Sequence, residues 1–297
     1  MGRHKFEQAF ERYEQALALG EPLLGVDHPL VLYLLKSLTR ICRKLGQSEA
    51  TEEFAQRHNA NVQIGTFDDT VEAAWRLNNL AHSLQEKGEY GKAEPLYVRA
   101  LEIKEQKLGA THPNTATSLN NLAGLYDSQG RYSEAEPLYV RSLEIREQEL
   151  GAMHPDTAQG LNNLAGLYSI QGRHSEAEPL YVRSLEIFEQ ELGATHPDTA
   201  TSLNALAGLY SVQGRYSEAE PLLVRSLEIR EQELGATHPD TAGSLNVLAG
   251  LYNIQGRDSE AEPLYVRSID IAEKALGANH PNTQLYVQNL ESMRQKM

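Results

Sequence analysis

The chain has 297 residues, 40% of them hydrophobic and 23% charged, which is typical of a soluble protein with an extensive core. Its 27 basic and 41 acidic residues give a net charge of −14, which disfavours nucleic acid and anionic membranes as partners. The single cysteine, Cys42, excludes an internal disulfide and a Cys-based metal site, and no apolar segment has the length of a membrane span or the form of an export signal, so we expect a cytoplasmic protein.

The chain is one unit repeated. The dipeptide His-Pro recurs at intervals that are multiples of 42, at residues 28, 112, 154, 196, 238 and 280. Residues 112–153 and 196–237 are identical at 36 of 42 positions. This period predicts a single domain made of a half repeat, six full repeats and a final capping helix: 1–27, 28–69, 70–111, 112–153, 154–195, 196–237, 238–279 and 280–297.

The first elements in chain order differ most from the rest. Residues 1–27 carry the apolar spacing of the second half of a repeat and predict one amphipathic helix. The first helix of the repeat 28–69 has four basic residues and no acidic one. These residues are Lys36, Arg40, Arg43 and Lys44.

Each later repeat predicts two helices. In residues 154–195 the apolar residues recur every three or four positions in two stretches, which indicates a buried face on each helix. Pro155 suits the first turn of the first helix, Gly172 its end, and Gly193 the end of the second. Ser175 and Glu178 have the spacing of a capping box, which the pairs Ser133/Glu136, Ser217/Glu220 and Ser259/Glu262 repeat.

Neither helix of such a pair can bury its apolar face alone, so the pairs must stack. The residues after Pro281 predict a last helix whose outer side chains are polar: Gln288, Glu291, Arg294, Gln295 and Lys296.

The order of small and large residues in each pair resembles the tetratricopeptide repeat (TPR) signature, as in Leu164, Ala165, Tyr168, Gly172 and Ala177. The repeat of 42 residues resembles the longer variety found in kinesin light chains. The resemblance implies an all-α, right-handed α-solenoid whose concave groove, lined by the first helix of each pair, binds peptide segments of partner proteins. No sustained heptad is present, so attachment to a motor protein is not implied.

The same resemblance places side chains of the first helices in this groove. Two columns are rich in asparagine, whose amide can clamp a peptide main chain: Asn78, Asn120, Asn162, Asn204 and Asn246, and then Asn79, Asn121 and Asn163. The alternative is that these asparagines only link adjacent helices. Three of the six differences between residues 112–153 and 196–237 fall at groove positions, as expected if a partner presents different groups along its length.

The basic helix would face the groove in the same alignment. Lys36, Arg40, Arg43 and Lys44 would lie beside Arg76 and His82 of the next repeat and pair with carboxylates of an acidic or mixed peptide. The alternative is a solvated face that balances Glu49, Glu52 and Glu53. Trp75 fits either the edge of the groove or the core.

The sequence contains no sign of catalysis. Six of the ten histidines belong to His-Pro turns on different repeats, too far apart to share a metal ion, and no phosphate loop, HExxH run or GxSxG elbow occurs. We expect no metal or other cofactor and no enzymatic activity.

Three functions fit these features. The first is a cytoplasmic scaffold that binds a peptide, the second is a spacer array without a ligand, favoured by the near-identical repeats, and the third is the sensor arm of a larger signalling protein, which a chain beginning inside a repeat would fit.

Overall fold

The computed structural model describes residues 2–24, 29–62 and 70–296. His28, residues 25–27 and residues 63–69, which belong to the half repeat and the first full repeat, lie outside these ranges. The described residues form α-helices and no strand, so the all-α prediction is confirmed. They divide into two compact units, Met1–Ile145 (unit 1) and Arg146–Met297 (unit 2).

The helices alternate as the repeat predicts, two to each 42 residues. In chain order they are α1 (Gly2–Leu24), α2 (Pro29–Leu45), α3 (Ser48–Val62), α4 (Val71–Glu86), α5 (Tyr90–Leu108), α6 (Pro113–Ser128), α7 (Tyr132–Glu149), α8 (Pro155–Ile170), α9 (His174–Glu191), α10 (Pro197–Val212), α11 (Tyr216–Glu233), α12 (Pro239–Ile254), α13 (Asp258–Leu276) and α14 (Pro281–Arg294).

The first helix of a pair ends as predicted. Gly172 has a φ of +75°, which costs glycine little, and the amide of Arg173 donates to the carbonyl of Tyr168 at 2.8 Å. The turn lets the second helix fold back along the first. Gly193, with a φ of +102°, ends the second helix in the same repeat.

The capping-box prediction is wrong. Helix α9 begins at His174, so Ser175 lies inside its first turn, and the N-cap residue is Arg173, which makes no side-chain cap hydrogen bond. Glu178 instead accepts a hydrogen bond from Arg215 of the next repeat at 2.8 Å. The serine and glutamate have the spacing of a box, but the turn at Gly172 starts the helix before the serine.

In unit 2 consecutive pairs pack side by side. Each second helix contacts the first helix of the following pair, and the first helices α8, α10, α12 and α14 contact one another in succession. Small residues at 0% exposure, such as Ala207, Ala219 and Ala249, allow the close approach. Leu164, Leu206 and Leu248 on successive first helices are each about 4–5% exposed, so the predicted apolar face is buried.

Serines join the two helices within a pair, and arginines join successive pairs. Ser184 and Ser226, both fully buried, donate to the carbonyls of Ala158 and Ala200 at 2.7 and 2.8 Å. Arginines of one repeat pair with glutamates of the previous repeat at 2.5–2.8 Å, at the positions Arg183–Glu147, Arg225–Glu189, Arg267–Glu231, Arg215–Glu178 and Arg257–Glu220. Exposed pairs of this kind contribute up to about 1 kcal/mol each.

Unit 1 contains both regular pairs and the divergent leading helices. Leu34, Leu35, Leu38 and Cys42 of α2 are fully buried, and Phe10 of α1 packs edge-on against Phe54 of α3. Helix α1 also contacts α5, where Arg12 pairs with Glu94 at 3.0 Å. The half repeat therefore touches the second full repeat directly, which the simple linear order of repeats did not predict.

Candidate functional site

The recurrence of His-Pro has a structural cause within each repeat. The Nδ1 atom of His154 accepts a hydrogen bond from the amide of Asp156 at 3.0 Å, so the imidazole caps α8 and Pro155 takes the first helical position. Four other histidines cap their helices in the same way: His112, His196, His238 and His280. The sequence pattern predicts turn residues here, and the structure shows that they are also N-caps.

The basic face of α2 is exposed. Lys36, Arg40, Arg43 and Lys44 are all exposed, and the buried apolar residues of the same helix are Leu30, Val31, Leu34, Leu35, Leu38 and Cys42. Among the side chains that the structure describes, no carboxylate forms an ion pair with Arg40, Arg43 or Lys44. Most arginines of the regular repeats, by contrast, pair with a glutamate.

The neighbouring groups on α4 make local contacts. Arg76 pairs with Glu72 at 2.5 Å, and Nε2 of His82 lies 3.5 Å from Glu86, all of them exposed. Asn79 is exposed one turn before His82. That Arg76 and His82 extend the basic face of α2 stays a prediction.

The first asparagine column links adjacent first helices. Asn78, 7% exposed, accepts a hydrogen bond from Asn121 at 3.0 Å. In unit 2, Asn162 accepts from Ser202 at 3.4 Å, Asn204 donates to Ser244 at 3.1 Å, and Asn246 accepts from Asn289 at 3.0 Å. The linking alternative therefore describes these four, and Asn120 is half-buried on α6.

The second helices supply a set of side chains that the sequence pattern of the first helices does not reveal. We define the floor column as the residues that follow Ile in the repeated LEI or IDI segment: Lys104, Arg146, Phe188, Arg230 and Ala272. Three of the five are cations. The change between cationic and apolar residues at one position of the repeat is the signal in the sequence that could have identified this column.

Two arginines of the floor column are tied to the following first helix. Arg146 is 3% exposed and donates to the carbonyl of Asp156 at 2.7 Å. Arg230 donates to the carbonyl of Asp240 at 2.9 Å, to Ser244 at 3.0 Å and to Thr201 at 3.1 Å. Burial lowers the pKa of both guanidinium groups, which stay charged at neutral pH.

Lys104 differs from these arginines. It is fully buried, and its Nζ atom has no hydrogen-bond partner among the described residues. The Nζ atom lies 4.2 Å from the ring centroid of Trp75, which is 41% exposed. Burial lowers the pKa of Lys104 to about 8. Trp75 therefore belongs to neither the core nor a free edge, because one face covers a buried cation.

An open cavity of about 310 Å³ lies between α8 and α10, with α9 beneath it. Its walls include two predicted residues, Asn162 and Asn163, and its floor is formed by Tyr181 and Phe188. The remaining lining residues are Pro155, Asp156, Gln159, Asp198, Thr201 and Ala205. First helices of neighbouring pairs thus flank a cavity at the lower end of the size range of ligand pockets.

A family model for the tetratricopeptide repeat matches residues 71–148, 156–232 and 206–274, which cover more than half of the chain. The chain belongs to the tetratricopeptide repeat family. The comparison with curated proteins gives no match.

Solved structures show the same TPR architecture. The nearly identical TPR-like repeats of a proposed kinesin light chain from Podosopora anserina are 27% identical, with a TM-score of 0.56, over 70% of this chain and 98% of that chain. A single-substitution variant of that protein is 28% identical, also at 0.56, over 67% and 94%. BtubC (BKLC) from P. vanneervenii has a TM-score of 0.54 over 95% and 94%, and its 23% identity supports the fold alone. The predicted resemblance to kinesin light chain TPR repeats is confirmed.

Other features of this TPR chain bear on function. A cavity of about 420 Å³ in unit 1 is lined by Arg12, Glu94 and Arg131, whose charges pair with one another at 2.9–3.0 Å. Within residues 2–24, 29–62 and 70–296 no group of His, Cys, Asp and Glu could hold a metal ion. No helix in those ranges has the length and apolar character needed to cross a bilayer.

Proposed function

We propose that this TPR protein is a non-catalytic scaffold that holds an acidic peptide segment of a partner protein against the basic face of α2. TPR repeats serve as scaffolds, typically for protein interactions, and the acidic ligand is our addition. One observation carries it: a helix with four exposed cations and no acidic residue in a chain of net charge −14.

The charge on α2 is available to a ligand. Arg40, Arg43 and Lys44 are exposed and form no ion pair among the described side chains, whereas arginines of the regular repeats pair with glutamates of the previous repeat. A row of like charges also repels itself, so bound carboxylates would relieve that repulsion. Arginine can hold a carboxylate through two parallel hydrogen bonds, which adds geometric selectivity.

The asparagine columns contribute to this proposal to different degrees. Asn79 and Asn163 belong to the second column. Their amides are the better candidates for contact with a peptide main chain, because Asn79 is exposed and Asn163 lines a cavity. Four residues of the first column, Asn78, Asn162, Asn204 and Asn246, form hydrogen bonds to the adjacent first helix. In this proposal they hold the first helices in place, and direct ligand contact by them is secondary.

Fluorescence anisotropy of a labelled peptide of alternating Glu and Gly tests the proposal. The double variant Lys36→Glu, Arg40→Glu should weaken binding at least about tenfold and flatten the dependence of affinity on NaCl, because charge–charge attraction is lost and replaced by repulsion. Circular dichroism should show unchanged helicity.

A matched control separates a local site from overall charge. Lys107→Glu with Lys296→Glu changes two exposed lysines elsewhere and alters the net charge equally. It should leave peptide binding nearly unchanged. Equal weakening by both double variants, or unchanged binding in the first, would refute the site on α2.

A spacer array is the second candidate, favoured by the first asparagine column, whose amides are used between helices. An unbiased pull-down with the wild type and the α2 double variant distinguishes the two. A partner lost with the variant supports the scaffold, no partner supports the spacer, and recovery of a longer parent chain supports the sensor arm.

We also propose that the protein acts in the cytoplasm. Cys42 is free and fully buried, and burial raises the pKa of its thiol, so it stays protonated and unreactive. A single buried thiol fits a reducing compartment.

A further inference from the structure

The floor column of unit 2 changes from repeat to repeat, from Phe188 to Arg230 to Ala272, between first helices of similar sequence. Arg230 on α11 and Phe188 on α9 stand at equivalent positions one repeat apart. The neighbouring first helices are similar in both repeats, since α8 and α10 are identical at 12 of 16 positions and so are α10 and α12. The two floors therefore differ in a guanidinium group against a phenyl ring, and also in Leu223, which stands where the repeat of Phe188 has Tyr181.

Arg230 shows what this space accepts. Its guanidinium lies between α10 and α12 and donates to Thr201 on one side and to the Asp240 carbonyl and Ser244 on the other. The equivalent acceptors beside Phe188 are Gln159, the carbonyl of Asp198, and Ser202. Each acceptor of Arg230 thus has a counterpart in the preceding repeat.

Phe188 leaves that space open. The ring is 5% exposed and lies with Tyr181 at the base of the cavity of about 310 Å³ between α8 and α10. Gln159 and Asp198, two of the three counterparts, line this cavity. Its floor is aromatic and its walls carry amide, hydroxyl and carboxylate groups.

The charges at the cavity favour a cation. The carboxylates of Asp156 and Asp198 line it, with side chains 60% and 59% exposed. Arg146 donates to the backbone carbonyl of Asp156 and also interacts electrostatically with its carboxylate, whereas the residue at the equivalent position beside Asp198 is the uncharged Phe188. A guanidinium over an aromatic ring gains a further cation–π attraction.

We propose that the cavity between α8 and α10 binds an arginine side chain of a partner polypeptide, in the position that Arg230 occupies one repeat later. The ligand's guanidinium stacks on Phe188 and donates to Asp198 and Gln159. This subsite goes beyond the acidic-peptide function of α2 and does not depend on it. It predicts that a partner segment bound here carries an arginine at one fixed position.

Selection of random peptides displayed on phage tests the proposal, with the wild type and Phe188→Arg as baits. Besides acidic peptides held by α2, the wild type should select a set of peptides that share one arginine, and Phe188→Arg should lose this set because its own guanidinium fills the cavity. The variant should keep its unfolding midpoint, since neighbouring repeats carry arginine at this position.

One selected peptide then enters a double-mutant cycle followed by fluorescence anisotropy. Replacing its arginine with alanine, or Phe188 with arginine, should each weaken binding about tenfold, and the two losses should not add. Asp198→Asn should also weaken binding of this peptide. Phe188→Leu keeps the cavity apolar but removes the ring, so the affinity it loses measures the aromatic contribution.

Three results would overturn the subsite: no peptide selected, a shared aromatic or aliphatic residue without arginine, or unchanged selection by Phe188→Arg. The α2 double variant distinguishes this failure from that of the proposed function. It should retain the arginine preference, and Phe188→Arg should retain binding of the Glu-Gly peptide.

Discussion

Lys104 in unit 1 and Arg230 in unit 2 occupy the same position of the repeat, yet the protein treats the two cations differently. Arg230 donates three hydrogen bonds to two first helices, whereas Lys104 lies fully buried against Trp75 with no hydrogen-bond partner among the described residues. The repeat thus accepts, at one position, a cation that hydrogen-bonds two neighbouring helices and a cation that forms no such bond. Equivalent positions in the two units therefore need not contribute equally to stability.

The largest expected effect concerns the apolar face that occurs in both units. Leu122 in unit 1 and Leu164 in unit 2 are 4% and 5% exposed at the same repeat position. Each change to alanine should lower the free energy of unfolding by about 2–5 kcal/mol, measured by urea unfolding with circular dichroism.

Similar losses would show that the apolar face is used alike in both units. A loss near zero at either leucine would mean that the buried face of that first helix is misassigned. Ile170, which is 61% exposed on α8, supplies the control, because Ile170→Ala should cost little.

The two cations should respond in opposite directions to replacement by methionine. Arg230→Met removes three hydrogen bonds, although Ser244 keeps the one that Asn204 donates, and should cost about 1–3 kcal/mol. Lys104→Met removes a buried charge that no acceptor compensates and should stabilise the protein at pH 7 by about 1–3 kcal/mol.

The pH dependence distinguishes the cause. Folding lowers the pKa of Lys104 from 10.5 to about 8, so the unfolded chain binds this proton more tightly than the folded chain does. The resulting destabilisation of the folded state is complete below pH 8. The difference in the free energy of unfolding between Lys104→Met and the wild type should therefore shrink as the pH rises from about 8 and close above about 10.5. A gap that is constant across this range would show that packing, not charge, separates the two proteins.

The sequence predicted much of the fold and less of the site, for physical reasons. Helices, their apolar faces and the stops at glycine follow from spacing and backbone conformation, which are local properties. The capping role of His154 and the failure of the Ser175 box depend on the residue at which each helix begins. A shift of that start by one or two residues changes which side chain can cap the helix. The partners of Asn78 and Arg230 lie on neighbouring repeats, so only the packed structure reveals them.

A smaller effect tests the serines that join the two helices of a pair. Ser142 in unit 1 donates to the carbonyl of Ala116 at 2.7 Å, and its equivalent in unit 2, Ser268, has no hydrogen-bond partner among the described residues although both are buried. Ser142→Ala should cost about 1 kcal/mol, and Ser268→Ala should cost nothing or stabilise slightly. Thermal unfolding followed by circular dichroism measures both. Equal losses would indicate that Ser268 finds an acceptor in solution.

The smallest effect concerns glycines inside two equivalent first helices. A methyl group added at Gly124 would lie 3.4 Å from the hydroxyl of Tyr139, whereas no described atom of a neighbouring helix lies within 4 Å of one added at Gly208. The reason is that Leu223 stands where the other repeat has Tyr139. Gly208→Ala should therefore stabilise the protein by about 0.5–1 kcal/mol through reduced backbone entropy of the unfolded chain, while Gly124→Ala gains less or loses.

The double variant Gly208→Ala, Leu223→Tyr gives this comparison its sharpest form. Tyrosine at 223 should bring a hydroxyl against the new methyl group, as at Gly124, so the benefit of Gly208→Ala should shrink when it is measured in the Leu223→Tyr background. Urea unfolding of the four proteins gives the coupling energy directly. Full additivity would contradict the view that the tyrosine hydroxyl limits the residue at the position of Gly124 and Gly208 to glycine.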